Sequence, residues 1–428
     1  MPPRVPAIAV AIALTLTAVA AGQVIRSSTD LIPIDVQVVD RQGNPITGLT
    51  RDRFSVEIEG KPRPVSVLDF VRADTRDVAA STSLPAASVL APGATLASPP
   101  GGGRTQTYMV LVDAQSFSAG VSRGIAAAAQ NFVRALPPSA VVGLLTYPLG
   151  PKLEPTTDHA AVIAALDHVS GQKEPDAAYR YNVRASEVVD WFVSQDNRDV
   201  ISNRYCGGGG GGSPAQGGTR GRFTPPASAG GGDSDCLLVL SDEIASRAGL
   251  GEAQGRVGLS MLRDLLVNMG SIEGRKIAVL ASAGMTMSDA PGGRPDFGTL
   301  PIEVGEAAAR SNVAIYTLFV DNSVLELFSA ERRQAVKSQV NLARDAAVAS
   351  GWLSQFAGAS GGAFMKVLTG SGEYAFGRIV RETSAYYLLG VDATDADRTG
   401  HARRIKVRVN QKGATVRSRE FVVVSPKP

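Results

Sequence analysis

The two cysteines are the residues whose chemistry the sequence marks most clearly. Cys206 and Cys236 are the chain's complete cysteine content, and they flank a glycine-rich tract. Two cysteines without a nearby histidine make a poor zinc site, because structural zinc takes four protein ligands. In an oxidising compartment such a pair is most simply a disulfide, with two free thiols as the alternative. We therefore predict a Cys206–Cys236 disulfide.

Residues that could carry catalysis are sparse. The histidines are His159, His168 and His401, and the first two fall on opposite faces of one predicted helix. No Lys-Ser/Thr pair follows the glycine run 207–212 to make it a phosphate loop. Carboxylates are abundant, but context marks no pair of them as a glycosidase site. The sequence thus indicates a protein that is not an enzyme, with a secreted hydrolase as the less favoured alternative.

The N-terminus predicts export. Arg4 precedes an apolar run over 7–20 that ends in the small-residue pattern Ala18-Val19-Ala20. Signal peptidases cleave after such patterns, and the run is shorter than the roughly 20 apolar residues that span a bilayer. We predict a signal peptide over 1–20 and a periplasmic or secreted mature chain without a membrane span. A retained membrane anchor is the alternative.

Composition limits the partners that the mature chain can have. A net charge of +3 over 428 residues is too small to imply a polyanionic partner. The basic segment 403–408 alternates charged with apolar residues, which is typical of the solvated face of a strand. No nucleic-acid partner is therefore expected. The length predicts two or three folded units, and 44% hydrophobic residues suffice for their cores.

Both ends of the chain show the alternating pattern of β-strands. We predict an N-terminal β segment over 28–72, a linker rich in Ala, Ser, Pro and Gly over 73–105, and C-terminal strands over 384–428. The predicted strands are 34–40, 54–59, 65–70, 385–391, 405–409 and 414–424, with a hairpin turn at 410–413. Because chain ends often lie close together, we expect the two sets of strands to pair in one small all-β sandwich.

Between these ends, residues 106–383 alternate apolar strands with amphipathic helices. The predicted strands are 108–113, 141–147, 276–281 and 312–320, and the predicted helices are 121–136, 159–169, 257–269 and 302–310. This alternation predicts an α/β domain with a doubly wound, mostly parallel sheet and helices on both faces. An insertion at about 171–256 carries the glycine run and both cysteines.

The order of several segments resembles that of von Willebrand factor A (VWA) domains. These segments are the strand ending at Asp113, the strands over 274–280 and 312–318, and the helix, Gly-Gly turn and closing strand over 353–364. The flanks, with Asp40, Gly43, Gly48-Leu49 and the run 386–390, resemble the acidobacterial VWFA-related family of exported proteins. The resemblance covers most of the mature chain. It implies a VWA-type α/β domain that binds a protein partner, as yet unidentified, outside the cytoplasm.

VWA domains usually carry a metal-ion-dependent adhesion site, in which one Asp and two Ser in D-x-S-x-S spacing join a Thr and a second Asp around Mg²⁺. Asp113 matches the first position, but Gln115 and Phe117 occupy the serine positions, and Ser116 and Ser118 come one residue late. The second loop, over 171–186, contains no threonine, and the third reads Ser282-Ala283-Gly284 instead of Ser-Asp-Gly. We therefore predict a degenerate adhesion site that binds no metal and no cofactor. Mg²⁺ held by Asp113, Ser116 and Ser118 is the alternative. The binding-loop candidates are Asp113, Gln115, Ser116, Ser118, Ser282 and Gly284.

A second Ser-Asp pair could supply the missing carboxylate. Ser241-Asp242 follows an apolar run, but the residues after it are helix formers that continue into the predicted helix 257–269. We therefore place the pair within a helical insertion. The leading hypothesis is an exported protein-binding module that uses the loops at the Asp113 end of the sheet. The alternative is a structural subunit of a bacterial envelope assembly, joined through the edges of the sandwich.

Overall fold

The computed structural model describes residues 31–73, 106–173, 179–181, 183–207, 232–322, 341–368 and 372–424. The predicted signal peptide, nearly all of the predicted linker and most of the glycine run lie outside these ranges. Within them, no helix combines the length and the hydrophobicity that a bilayer crossing requires.

Strands and helices are named in chain order. The strands are β1 (Leu31–Val39), β2 (Phe54–Ile58), β3 (Lys61–Arg63), β4 (Val65–Arg72), β5 (Gln106–Asp113), β6 (Val141–Tyr147), β7 (Lys152–Thr156), β8 (Arg275–Ser282), β9 (Val313–Asp321), β10 (Phe364–Leu368), β11 (Ala385–Asp392), β12 (Ala402–Val409), β13 (Thr415–Arg417) and β14 (Phe421–Val423). The helices are α1 (Ala119–Ala135), α2 (His159–Leu166), α3 (Ala185–Trp191), α4 (Gln195–Tyr205), α5 (Gly232–Met269), α6 (Leu300–Ser311), α7 (Asn341–Ser360) and α8 (Gly372–Thr383).

A six-stranded sheet in the order β10-β9-β8-β5-β6-β7 forms the centre of the molecule. Every neighbouring pair is parallel except β6 with the edge strand β7, so the α/β fold class is confirmed. From β5 the chain continues to β6 on one side and later returns to β8 on the other. In open α/β sheets, ligands bind at the carboxyl ends of the strands where the order reverses in this way. That crevice lies between β5 and β8.

Two apolar layers cover this sheet. One face packs against α1, α2 and α8 around Val110, Phe132 and Phe376, and the other against α5, α6 and α7 around Leu111, Leu266 and Trp352. Because both faces are covered, β5 is buried along its whole length. This explains why its sequence is a continuous apolar run and does not alternate.

Strands from both ends of the chain pair with one another in two antiparallel sheets, β13-β1-β11-β4 and β14-β12-β2-β3. Their facing sides share a core that includes Val36, Val56, Tyr387 and Leu389. The single strand predicted over 414–424 is wrong, since β13 pairs with β1 in one sheet and β14 with β12 in the other. The turn at 410–413 therefore joins strands of different sheets and does not form a hairpin. Alternation of apolar and polar residues cannot reveal a change of sheet, because both sheets face the same core.

Helix α5 is much longer than the strands of the sheet against which it packs. Its 38 residues extend about 57 Å at 1.5 Å per residue. Five residues separate its end from the start of β8, so its N-terminal half projects past the carboxyl edge of the sheet. On this half pack α3 and α4, around Val188, Ile201, Leu240 and Ile244. We call residues 183–207 and 232–255 the helical cap. Ser241-Asp242 lies in this part of α5, as the sequence indicates.

Candidate functional site

The carboxyl ends of β5 and β8 bring Asp113 and Ser282 together. Parallel pairing of Val112 with Ala281 places the two following residues side by side. The Ser282 hydroxyl donates to Asp113 Oδ2 at 2.7 Å, and the Gly284 N–H donates to Ser282 Oγ at 2.9 Å. Ser282 is fully buried and Asp113 is 4% exposed. The acid is therefore part of an internal hydrogen-bond network and is not presented to solvent.

Other residues of the first loop have separate tasks. The Ser116 hydroxyl donates to the Asp113 carbonyl oxygen at 2.7 Å and accepts from the Ala283 N–H at 2.9 Å, which clamps the β5 loop to the β8 loop. Gln115 Nε2 donates to the carbonyl oxygen of Gln254 in α5 at 3.2 Å. Ser118 is exposed at the start of α1 and its side chain makes no capping bond. Of the candidate residues, Asp113, Ser116, Ser282 and Gly284 thus form one cluster, and Gln115 and Ser118 lie outside it.

A third segment holds the first loop through its backbone. The N–H groups of Gln172 and Lys173 donate to the carbonyl oxygens of Ala114 at 2.7 Å and Phe117 at 2.8 Å. Glycine is required at 171, because a Cβ there would overlap the Phe117 and Ser118 carbonyl groups. Sequence reasoning sought a threonine side chain in this region. The contacts found instead are made by main-chain atoms, so Gly171 is their only trace in the sequence.

Burial dominates the electrostatics of Asp113. It raises the pKa of the carboxyl from 3.8 to about 7, and hydrogen bonds from Ser282 and Ser116 offset only part of the shift. The Oδ1 atom is buried without a hydrogen-bond partner among the described residues. Burial and the nearby Asp113 carboxyl also raise the pKa of Tyr147, at the end of β6. Near neutral pH the carboxyl therefore exchanges between its protonated and ionised forms.

The oxygens of this cluster do not fit a magnesium ion. Mg²⁺ demands near-octahedral coordination by hard oxygens, with carboxylates supplying charge. Here one carboxyl oxygen and two hydroxyls already bond to one another and to the backbone. Asp321 at the end of β9 lies two strands from β5 and pairs with Lys366 Nζ at 2.7 Å. The described chain also contains no group of three or more His, Cys, Asp or Glu arranged to hold a metal.

The solvent-facing part of this end of the sheet lies beside the cluster. Leu149, in the loop between β6 and β7, is 73% exposed, and its carbonyl oxygen accepts from Gln172 Nε2. Ser118, Gln172 and Lys173 are exposed around it. We call these four residues the edge surface. Sequence reasoning missed Leu149, whose signal is a lone large apolar residue in the turn Pro148-Leu149-Gly150-Pro151.

The helical cap is fixed to the α/β domain and closed on itself. Arg184 Nε donates to Asp345 Oδ2 in α7 at 2.7 Å, and the Ser186 hydroxyl donates to Asp345 Oδ1 at 2.6 Å. A disulfide between Cys206 and Cys236 joins the end of α4 to α5. The helical cap is therefore held in a fixed position beyond the carboxyl edge of the sheet.

Comparisons with known proteins do not extend this description. No family model matches the chain, and no curated protein matches it. A crystal structure of the human COPII-coat protein Sec24c aligns over 76% of this chain and 44% of that chain, with 8% sequence identity and a TM-score of 0.28. The chain thus spans less than half the length of that structure. A likeness this slight carries no functional argument.

Proposed function

We propose that this chain is an exported VWA-type protein that binds a protein partner at the carboxyl edge of its six-stranded sheet without a metal ion. The observation that carries the proposal is the closed cluster around Asp113. A metal-ion-dependent adhesion site needs an accessible, ionised carboxylate. The Asp113 carboxyl is instead buried and accepts a hydrogen bond from Ser282, and its pKa is raised to about 7. The doubly wound, mostly parallel sheet with its crevice beside β5 supports a VWA-type domain.

The edge surface supplies the contact in this proposal. Single exposed apolar residues are common on proteins, but Leu149 lies at the end of the sheet where α/β folds bind ligands. Its loop is held by the Gln172 side chain and by a hydrogen bond from the Thr146 N–H to the Pro151 carbonyl oxygen at 3.0 Å. An apolar centre on fixed backbone with polar residues around it is the usual anatomy of a protein interface.

The test is a pull-down from envelope extract with three immobilised chains, each assayed with and without EDTA. The chains are wild type, Leu149→Asp and the control Val267→Asp. The Val267 side chain is 59% exposed near the C-terminal end of α5, away from the carboxyl edge of the sheet. We expect one protein to be retained by wild type and by the control in both buffers. Leu149→Asp should retain it about 30-fold less, the loss typical of an interface hot spot.

Other outcomes would redirect the proposal. Loss of the partner in EDTA, restored by Mg²⁺, would contradict metal-free recognition. Equal retention by all three chains would favour the alternative of an envelope subunit joined through the sandwich edges. Turnover in a broad substrate screen would favour a hydrolase.

A further inference from the structure

Where the sandwich meets the α/β domain, the protein buries a guanidinium that pairs with no carboxylate of the described residues. Arg275, the first residue of β8, is 5% exposed, and its guanidinium carbon lies 4.3 Å from the centre of the Tyr386 ring. Its Nε and Nη1 atoms are buried without an acceptor in the described part of the chain. The ring face offsets some of the charge. An unpaired buried guanidinium is nevertheless strongly destabilising, so this arrangement needs a further partner.

A third unpaired donor borders the same ring. Continuing the antiparallel register from Val36–Tyr387 places Gln37 of β1 opposite Tyr386, with both side chains on one face of the sheet. Gln37 is 1% exposed, and its Oε1 accepts from the Tyr316 hydroxyl at 2.7 Å. Its Nε2 has no partner among the residues described. The Gln37 amide and the Arg275 guanidinium thus both border Tyr386, and each has N–H groups without an acceptor among the described residues.

The nearby carboxylate is already shared by two other cations. Glu382 is fully buried, and it pairs with Arg378 at 2.8 Å and with Arg417 at 3.0 Å. Gln106, beside Arg275 on β5, has its Oε1 occupied by the Tyr108 hydroxyl at 2.7 Å. The other carboxylate of this region, Asp35 of β1, accepts from Asn312 Nδ2 at 3.2 Å and lies near Lys276 and Arg419. Among the described residues, cations therefore outnumber carboxylates at the junction.

We propose that this junction binds one small monovalent anion, chloride in ordinary solution, against Arg275 Nε and Nη1 and Gln37 Nε2. A water molecule could accept from two of these donors, but it would leave the guanidinium charge uncompensated. A spherical halide supplies both the acceptor and the charge. Because Gln37 belongs to the sandwich and Arg275 to the α/β domain, the bound anion joins the two.

Thermal unfolding of the full chain tests the site. We compare sodium chloride with sodium gluconate at equal ionic strength, because a site for one small halide should not admit the much larger gluconate ion. Chloride at about ten times its dissociation constant should raise the wild-type Tm by about 2–4 °C, and above that concentration the Tm should rise with the logarithm of the chloride concentration. The rise should persist in the control Arg123→Met, an exposed position on α1, and disappear in Arg275→Met. If Arg275→Met does not fold, Gln37→Met replaces it.

Crystals grown in bromide give the second measurement. An anomalous peak within hydrogen-bonding distance of Arg275 Nη1 and Gln37 Nε2 is the expected result. A water molecule at that position in the bromide crystals would overturn the proposal. An equal chloride effect in wild type and in the folded variant would also overturn it.

Discussion

Replacing Asp113 with asparagine should stabilise the α/β domain by about 3 kcal/mol more at pH 8 than at pH 5. Asparagine has almost the same shape, and its side-chain carbonyl can still accept from the Ser282 hydroxyl, as Asp113 Oδ2 does. The substitution therefore removes little except the ability of the side chain to ionise. Any dependence of its effect on pH must come from the titration of this one group.

The magnitude follows from the shift in pKa. The Asp113 carboxyl ionises near pH 3.8 in the unfolded chain and near about 7 in the folded protein, because burial raises its pKa. Since the folded value is the higher one, the stability that the protonated carboxyl contributes is complete below about pH 4. It is lost progressively as the pH rises from about 4, and the loss is complete once the pH has passed about 7. At about 1.4 kcal/mol for each pKa unit, the full loss is on the order of 4 kcal/mol, which asparagine avoids.

Urea unfolding at pH 5 and pH 8 measures the part of this loss that falls between those two pH values, about 3 kcal/mol. Trp352 is buried in the layer between α7 and the parallel sheet, so its fluorescence reports on the α/β domain. The chain has two tryptophans, and a Trp191→Phe background leaves Trp352 as the only one. Asp289→Asn, at an exposed loop carboxyl, is the matched control, and it should show no stabilisation that grows with pH.

Two results would refute the reasoning. A change in the free energy of unfolding that is the same at both pH values would show that the pKa of Asp113 is not raised. Destabilisation by Asp113→Asn at pH 8, together with loss of wild-type stability in EDTA, would show that Asp113 is an ionised ligand of a divalent ion. The second result would also contradict metal-free recognition.

Further predictions concern the packing and the cap. Gly362→Ala should destabilise the protein, because an added Cβ would overlap the Ile315 carbonyl group. Gly351→Ala, in open space within α7, should stabilise it by about 0.5–1 kcal/mol. Urea unfolding compares the two, and the opposite order would contradict the observed approach of residue 362 to β9. Reduction of the Cys206–Cys236 disulfide should loosen the cap by about 3–4 kcal/mol in the chain-entropy model. Faster hydrogen exchange in α3 and α4, with β5 and β8 still protected, is the expected result, and uniform loss of protection would contradict it.

The elements that sequence reasoning found are those whose pattern is local. Each of β5, β6, β8 and β9 has a mainly apolar centre because the sheet is covered on both faces, so its composition alone marks it. Helix α5 shows the limit of this approach. The sequence predicts this helix from Val257 onward, where its apolar residues face the sheet. In the structure it begins at Gly232. Its first half packs on α3 and α4 instead, and no local period could reveal that second contact.

Some features of the candidate site could likewise be predicted from the sequence, and others could not. Asp113 and Ser282 could be found because each ends a recognisable strand. The burial of Asp113 could not be predicted, since it depends on loops brought together from distant parts of the chain. Arg275 was missed because a basic residue at the start of a strand normally reaches solvent. Here the sandwich covers Arg275. The sequence predicts that strands from the two chain ends pair, but it does not predict which of their side chains contact the α/β domain.

The position of α5 is the reason that we place the proposed recognition surface beside Asp113 and not on it. Gln254 of α5 accepts a hydrogen bond from Gln115, two residues after Asp113. One turn later, Gly258 fits so closely that a Cβ would lie 3.2 Å from the Tyr147 ring and 3.4 Å from the Gln115 side-chain nitrogen. A partner carboxylate could not approach a metal ion at Asp113 through this contact. Under the proposed function, the partner therefore contacts the exposed edge surface around Leu149, beside the position where a metal would lie.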